Sequence, residues 1–278
     1  MVKRFKITAI AGAAAFVAAP LLAAEPQVLD AASPKSEAQE AQGGQAKETA
    51  HAAPHWGYEG AGGPANWGSL SADYVVCKDG REQSPVDLAN PLPAQTGRVS
   101  VNWQTSAVAV VNNGHTIQVN PVGAFGTMQY GGKTYELLQF HFHHMSEHTR
   151  HGRASPMEVH FVHKATDGSG DLAVVGMMIE QGHESTLLQS VWSMMPEKAG
   201  ASAQAGPLEV ARLLPLDLSH VNYMGSLTTP PCSEVVTWIV LDKPLSMSAE
   251  QIAAFAKLFP NNARPVQAVN RRFLLRTN

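Results

Sequence analysis

The chain has 278 residues, 44% hydrophobic and 15% charged, with 23 acidic against 20 basic side chains and a formal charge of −3. That is enough apolar material for one domain with a sizeable core. There is no basic stripe, which excludes nucleic acid as an expected partner.

Lys3, Arg4 and Lys6 precede an apolar run from Ile7 to about Ala24 that ends in small residues. Residues 1–24 therefore read as a signal peptide cleaved near Ala23–Ala24. An uncleaved anchor is the alternative, but the run is Ala-rich, broken at Pro20 and short for a bilayer span. Removing it takes away three bases and no acids, which moves the charge from −3 to −6. Residues 25–54 are rich in Ala, Glu, Gln, Gly and Lys and contain no aromatic side chain. They cannot bury enough apolar surface to offset their ordering entropy and read as a flexible leader. The folded domain is then 55–278, exported to the periplasm or secreted, with no membrane association once the signal is removed. In an oxidising compartment the two cysteines, Cys77 and Cys232, suggest one disulfide, with two buried free thiols as the alternative.

From His55 to Trp67 the sequence is aromatic and Gly-rich, without helical or strand periodicity. From Val99 to about Val240 short strand-like runs dominate: Val108–Asn112, His115–Val119, Phe125–Tyr130, Thr134–His143, Met157–His163, Leu172–Glu180 and Val235–Leu241. Asn113-Gly114, Gly131-Gly132 and Asp167-Gly168 punctuate them. The pattern predicts a mainly β domain around one large twisted, mostly antiparallel sheet, with short peripheral helices. Helices are expected over Ser185–Met195, with Leu187, Leu188, Val191, Trp192 and Met195 at helical spacing, and over Ser248–Phe259. The second opens on a capping box, Ser248 with Gln251, and Pro260 stops it.

Twelve histidines are many for this length, and the question is which have a spacing that chemistry requires. In Gln139-Phe140-His141-Phe142-His143 the strand alternation puts His141 and His143 on one face and two phenylalanines on the other. The strand is then buried on both sides, and a buried imidazole pair needs partners. In Glu158-Val159-His160-Phe161-Val162, His160 shares a face with Glu158 and Val162, whereas His163 falls on the opposite face. His144 lies on the wrong face of its own strand, and His148 and His151 fall in a polar, Arg-containing turn where solvation is expected. If the two strands are neighbours, His141, His143 and His160 meet. Three neutral nitrogens with one open position describe a catalytic zinc site.

Gln139 and Glu158 each precede a ligand by two residues and suit the other ring N–H of that imidazole. Glu158 as a fourth ligand, closing the site, is the alternative. His115, after an Asn-Gly turn, is either an ordinary surface residue or a group that carries protons near neutral pH. In Gly225-Ser226-Leu227-Thr228-Thr229-Pro230-Pro231 a turn leads into a rigid stretch. A Thr hydroxyl there can orient a metal-bound hydroxide if it gives its own proton to a carboxylate, for which Glu147 is the candidate.

Together these runs resemble the alpha-class carbonic anhydrases, exported bacterial type, from about His55 to Phe273. The resemblance is carried by His55-Trp56-Gly57-Tyr58, Gln83-Ser84-Pro85-Val86, Asn112-Asn113-Gly114-His115, the two histidine runs, Ser146-Glu147-His148, Gly225 to Pro231, Thr237-Trp238 and Arg264-Pro265-Val266-Gln267. It implies Zn(2+) on His141, His143 and His160, and reversible hydration of carbon dioxide to bicarbonate and a proton through zinc-bound hydroxide, with a side esterase activity. It implies that Thr228 orients the hydroxide, that Glu147 accepts the Thr228 proton and that Thr229 lines the polar side. Val162, Val174, Leu227, Val236 and Trp238 form the apolar wall for carbon dioxide. His115 is the proton shuttle, with Tyr58, Asn113 and Gln118 ordering water; Gln118 stands where the better-known animal members often have Asn. Gln139 and Glu158 support the ligands, and Cys77 pairs with Cys232. Inhibition by sulfonamides and small anions is also implied, and the assembly stays open between monomer and homodimer.

Three rival readings have weaker support. His141, His143 and Glu147 fit the His-x-His-x₃-Glu element of a cupin, but its flanking glycines and second motif are absent. A silent binding module on the same fold would have lost a ligand. Simple zinc buffering would need neither Thr228 nor Glu147.

Overall fold

The structure, a computed structural model, describes residues 55–277. The expected signal peptide and leader lie outside the described residues. Twelve strands join into one sheet: β1 (Leu92–Pro93), β2 (Ser100–Trp103), β3 (Ser106–Asn112), β4 (Ile117–Pro121), β5 (Gly126–Tyr130), β6 (Lys133–His143), β7 (Met157–Ala165), β8 (Leu172–Gln181), β9 (Ser202–Leu208), β10 (His220–Gly225), β11 (Val236–Met247) and β12 (Leu275–Thr277). Their order is β1-β12-β10-β11-β8-β7-β6-β4-β3-β9, with β2 and β5 branching from β6. Only β1 with β12 and β8 with β11 run parallel. The mixed, mostly antiparallel sheet agrees with the expectation.

Each of the seven predicted runs contains a strand. Five strands lie outside those runs: β1 and β12 have only two and three residues, β9 carries Gly206 and Pro207, and β2 and β10 are short runs whose alternation the sequence reading passes over. His115 does not begin its strand. The Asn113 side chain accepts the N–H groups of both His115 and Thr116, which holds them in a turn, and β4 starts at Ile117.

The helix Ala249–Leu258 has the predicted capping box of Ser248 and Gln251. The helix expected over Ser185–Met195 is shorter, a 3-10 turn at Thr186–Leu188 followed by Gln189–Trp192. Tertiary bonds hold both ends of the segment beside its own short-range turn bonds. The Gln251 side chain accepts the Ser185 N–H, and the Gln251 carbonyl accepts Trp192 Nε1–H.

Strand alternation divides the apolar side chains between the two faces of the sheet. Phe140, Phe142, Val159, Phe161, Val175, Met177 and Ile239 belong to one large core. Val174, Met178, Val236, Trp238 and Val240, one residue out of phase, belong to a second cluster. His141, His143 and His160 share the face of that second cluster. Polar groups therefore meet on a sheet sealed from behind by a phenylalanine-rich layer.

Candidate metal centre

The register of β6 with β7 assembles the centre. His141 pairs directly with His160, and His143 with Glu158. The rings of His141 and His143 are 5.1 Å apart, His141 and His160 5.4 Å, and His143 and His160 4.6 Å. Each histidine offers a nitrogen, and these atoms all lie within 4.8 Å of one another. His143 and His160 are both 1% exposed.

The other nitrogen of every ring is held. His141 Nδ1 lies 2.9 Å from Gln139 Oε1, His143 Nδ1 lies 2.8 Å from the Asn262 carbonyl, and His160 Nε2 lies 2.9 Å from Glu158 Oε1. These contacts turn His141 Nε2, His143 Nε2 and His160 Nδ1 inward. The buried His143 Nε2 has no hydrogen-bond partner. An orphaned buried nitrogen beside two similar donors is what a metal ligand looks like without its ion. The three-nitrogen donor set fits zinc in an open site.

Electrostatics separate His141 and His143 from His160. Burial holds the His141 pKa well below the ordinary histidine value and lowers that of His143, so both rings stay neutral and able to ligate. Burial alone would raise the Glu158 pKa, but His148 and His160 hold the carboxyl well below its usual range. Burial opposes charge on His160 as well, yet the Glu158 carboxylate raises its pKa overall. Glu158 meets His160 at Nε2, the ring nitrogen that faces away from His141 and His143, and with His148 and His160 it also forms a second cluster of possible metal-binding atoms. Its Oε2 accepts the N–H groups of Glu147 and His148, and its Oε1 meets both His148 and His160.

His148 corrects the sequence reading, which leaves it solvated in a turn. It is fully buried, with Nδ1 2.7 Å from Glu158 Oε1 and Nε2 2.6 Å from the Tyr223 hydroxyl. The contact comes from β10, 75 residues away, which no local pattern announces. Asn262, Tyr223 and Gly176 were likewise missed. A Cβ at Gly176 would sit 3.1 Å from Glu158 Oε1, so any side chain there presses on that carboxylate opposite His160. His163 does face away, its Nδ1 against the Ala173 carbonyl.

A cavity of about 130 Å³ opens onto the centre. His141, His143, Gln139, Tyr58, Asn113, His115, Gln118 and Thr229 all line it, together with Trp56 and Thr116. The His115 ring stacks on Trp56 at 3.7 Å and on His55 at 5.1 Å. Burial, then the nearby His55, lowers its pKa below 6.5. Val162, Val174, Leu227, Val236 and Trp238 do not line this cavity; they pack in one apolar cluster. Trp238 and His160 rings lie 4.8 Å apart, which puts that cluster beside the three imidazoles.

Glu147 is 1% exposed. Its Oε1 accepts the Arg264 N–H at 2.9 Å. Its Oε2 has no hydrogen-bond partner and lies 3.6 Å from His143 Nε2 and 3.8 Å from His160 Nδ1. Thr228 is 6% exposed, on the same buried loop as Ser226. Its hydroxyl is not bonded to Glu147 in this structure. The Cys77–Cys232 disulfide is formed and links segments 155 residues apart.

Comparison with known proteins gives a consistent result. The sequence profile of eukaryotic-type carbonic anhydrases matches residues 62–277. The chain is 41% identical over 223 residues to a carbonic anhydrase of Pectobacterium carotovorum, covering 80% of this chain and 90% of that one. It is also 41% identical, over 229 residues, to one from Nostoc sp., covering 80% and 85%. Among solved structures it is similar to the alpha-carbonic anhydrase of Thermovibrio ammonificans in complex with the inhibitor sulfanilamide. The TM-score is 0.77 at 44% identity, covering 80% of this chain and 98% of that one.

Proposed function

The chain belongs to the eukaryotic-type (alpha) carbonic anhydrases and is a carbonate dehydratase, a lyase, and from that premise we propose that it hydrates carbon dioxide reversibly at a zinc ion held by His141, His143 and His160. The observation that carries the proposal is the convergence of three ring nitrogens whose opposite nitrogens are each anchored, next to an apolar cluster. Zinc bound there acts as a Lewis acid that supplies a hydroxide nucleophile at neutral pH.

The protein's own residues do the rest. Gln139, Asn262 and Glu158 fix the ring orientations and make the ligands more basic. Thr228 accepts a hydrogen bond from the attacking oxygen and donates its own proton to Oε2 of Glu147, the carboxylate oxygen with no other partner. That fixes the lone pair used for attack. Val162, Val174, Leu227, Val236 and Trp238 offer carbon dioxide an apolar resting place where no ordered water competes. Thr229 lines the polar side. His115 takes the released proton, through water ordered by Tyr58, Asn113 and Gln118, to buffer outside. Activated esters are expected as side substrates at the same site. Sulfonamides and small anions are expected inhibitors; the Thermovibrio ammonificans relative bound to sulfanilamide supports the first.

The reading extends to the residues beyond the domain. Residues 1–24 direct export and are removed, 25–54 are a leader, and the catalytic domain begins at 55. A disulfide suits the periplasm or the outside. No described helix is long and apolar enough to cross a membrane.

Stopped-flow carbon dioxide hydration, before and after chelation and after zinc is restored, tests the proposal. Activity should vanish and return with the metal. A zinc-loaded protein no faster than the uncatalysed reaction would refute it.

A further inference from the structure

Arg264 is 3% exposed, and its guanidinium bonds go to neutral oxygens. Nη1 donates to Gln83 Oε1 at 2.9 Å and to the Ser84 carbonyl at 2.8 Å, and Nη2 donates to the Cys77 carbonyl at 2.9 Å. The buried Trp67 ring lies beneath the cation at 5.6 Å. Burying a guanidinium without a carboxylate on its fork is expensive, and burial lowers its pKa to about 10. Such a group needs a reason beyond packing.

The reason lies in what it connects. Gln83 donates from Nε2 to the Cys232 carbonyl at 3.1 Å and to Glu234 Oε1 at 2.9 Å. The two cystine carbonyls are thus capped by two side chains that bond to each other. With the Cys77–Cys232 bond they close a ring of one covalent and three hydrogen-bonded links. Two arms leave this ring for the reaction centre. The Arg264 N–H holds Glu147 Oε1 at 2.9 Å. The Cys232 N–H holds the Thr229 carbonyl at 2.9 Å, closing the turn that directly follows Thr228, and the Leu227 N–H donates to the Ser233 carbonyl at 3.1 Å, closing the loop around Thr228.

We infer that Gln83 and Arg264 are positioning residues, tying the cystine to both Glu147 and the Thr228 loop and so fixing the carboxylate and the hydroxyl that aim the nucleophile; the inference rests on the hydration reading above. Glu147 sits between β6 and β7, while Thr228 sits between β10 and β11. No hydrogen bond joins the two side chains in this structure, so the bond the reaction needs depends on a third party that sets both segments in place, and the ring supplies it.

The test is Gln83→Leu, alone and combined with Thr228→Ala, in the zinc-loaded protein. Gln83→Leu should lower kcat/KM per zinc-loaded molecule by about ten- to a hundredfold, the usual scale for a small misplacement of a reacting group. Zinc affinity should change less than twofold, because no ligand support is touched. The double variant should be no slower than Thr228→Ala alone, since both changes disable one device. Gln83→Glu keeps an acceptor for Arg264 but loses the donor to Cys232, and carries the same expectation should Gln83→Leu not fold. Arg264→Lys should not rescue function, because one ammonium cannot reproduce the fork.

Unchanged kcat/KM in Gln83→Leu with only a lower melting temperature would overturn the inference. So would losses that multiply independently with Thr228→Ala. An inactive zinc-loaded wild type would overturn the hydration reading and this inference with it, whereas an active wild type matched by Gln83→Leu would overturn the inference alone.

Discussion

His141 and His160 stand directly opposite each other across the β6–β7 ladder, their rings 5.4 Å apart and nearly perpendicular. One residue of slip would turn every side chain of β7 to the other face and offer Phe161 or Val159 in place of His160. The register is therefore the first determinant of the centre. His160→Ala should lose most of the zinc, whereas His163→Ala should keep it stoichiometric. Metal analysis after dialysis separates them, and normal zinc in His160→Ala would remove it from the ligand set.

Glu158 carries more of the site than its distance from the reaction suggests. It supports His160 directly and anchors the Glu147–His148 backbone. Glu158→Gln and His148→Phe should each weaken zinc binding by about 10- to 100-fold, measured by chelator competition. Gly176→Ala should act in the same direction, because its new methyl presses on Glu158. Wild-type affinity in all three would mean that ring orientation is set elsewhere.

Thr228→Ala removes the hydroxyl without touching a ligand. Zinc content should stay full while kcat/KM for hydration falls by about 100-fold, the scale seen when one donor is lost from a polar catalytic array. Equal rates with equal zinc would exclude Thr228 from the mechanism.

The His115 pKa is lowered below 6.5, first by burial and then by His55. A proton acceptor must start neutral, so it is ready above its pKa and blocked below. In weak buffer the proton-transfer rate should rise with pH through a midpoint below 6.5 and then level off. His55→Ala should move that midpoint upward, because one of the two causes that lower it is removed. His115→Ala should slow turnover most in weak buffer, with imidazole restoring it. Rates insensitive to buffer would rule out the shuttle.

The cystine spans 155 residues. By the loop-entropy model, closing so long a loop stabilises the fold by about 5 kcal/mol, less any native strain. Reduced protein should melt well below oxidised protein in calorimetry. Coincident transitions would show that the bond constrains little of the unfolded chain.

Much of this molecule is local in origin. The period of two in Gln139–His143 and Glu158–Val162 already decides which histidines share a face and that phenylalanines seal the reverse. Neighbouring residues suffice because strand geometry itself imposes the alternation. Likewise Ser248 and Gln251 mark a helix start using only groups within one turn. The segment at Ser185–Met195 shows where local pattern stops: its apolar spacing is helical, yet bonds from Gln251 shape it.

What holds the inner atoms in place is decided elsewhere. The carbonyl that orients His143 belongs to Asn262, 119 residues on, and the hydroxyl that meets His148 belongs to Tyr223. Glu147 is held by a backbone N–H 117 residues away. A backbone carbonyl or amide has no identity in the sequence, since every residue but proline carries both. Which one arrives beside a buried imidazole depends on how distant strands close on each other. The sequence alone therefore determined that His141, His143 and His160 can share one face. Tertiary structure decided which groups turn those rings inward, because buried polar atoms take the partners that the fold brings within reach.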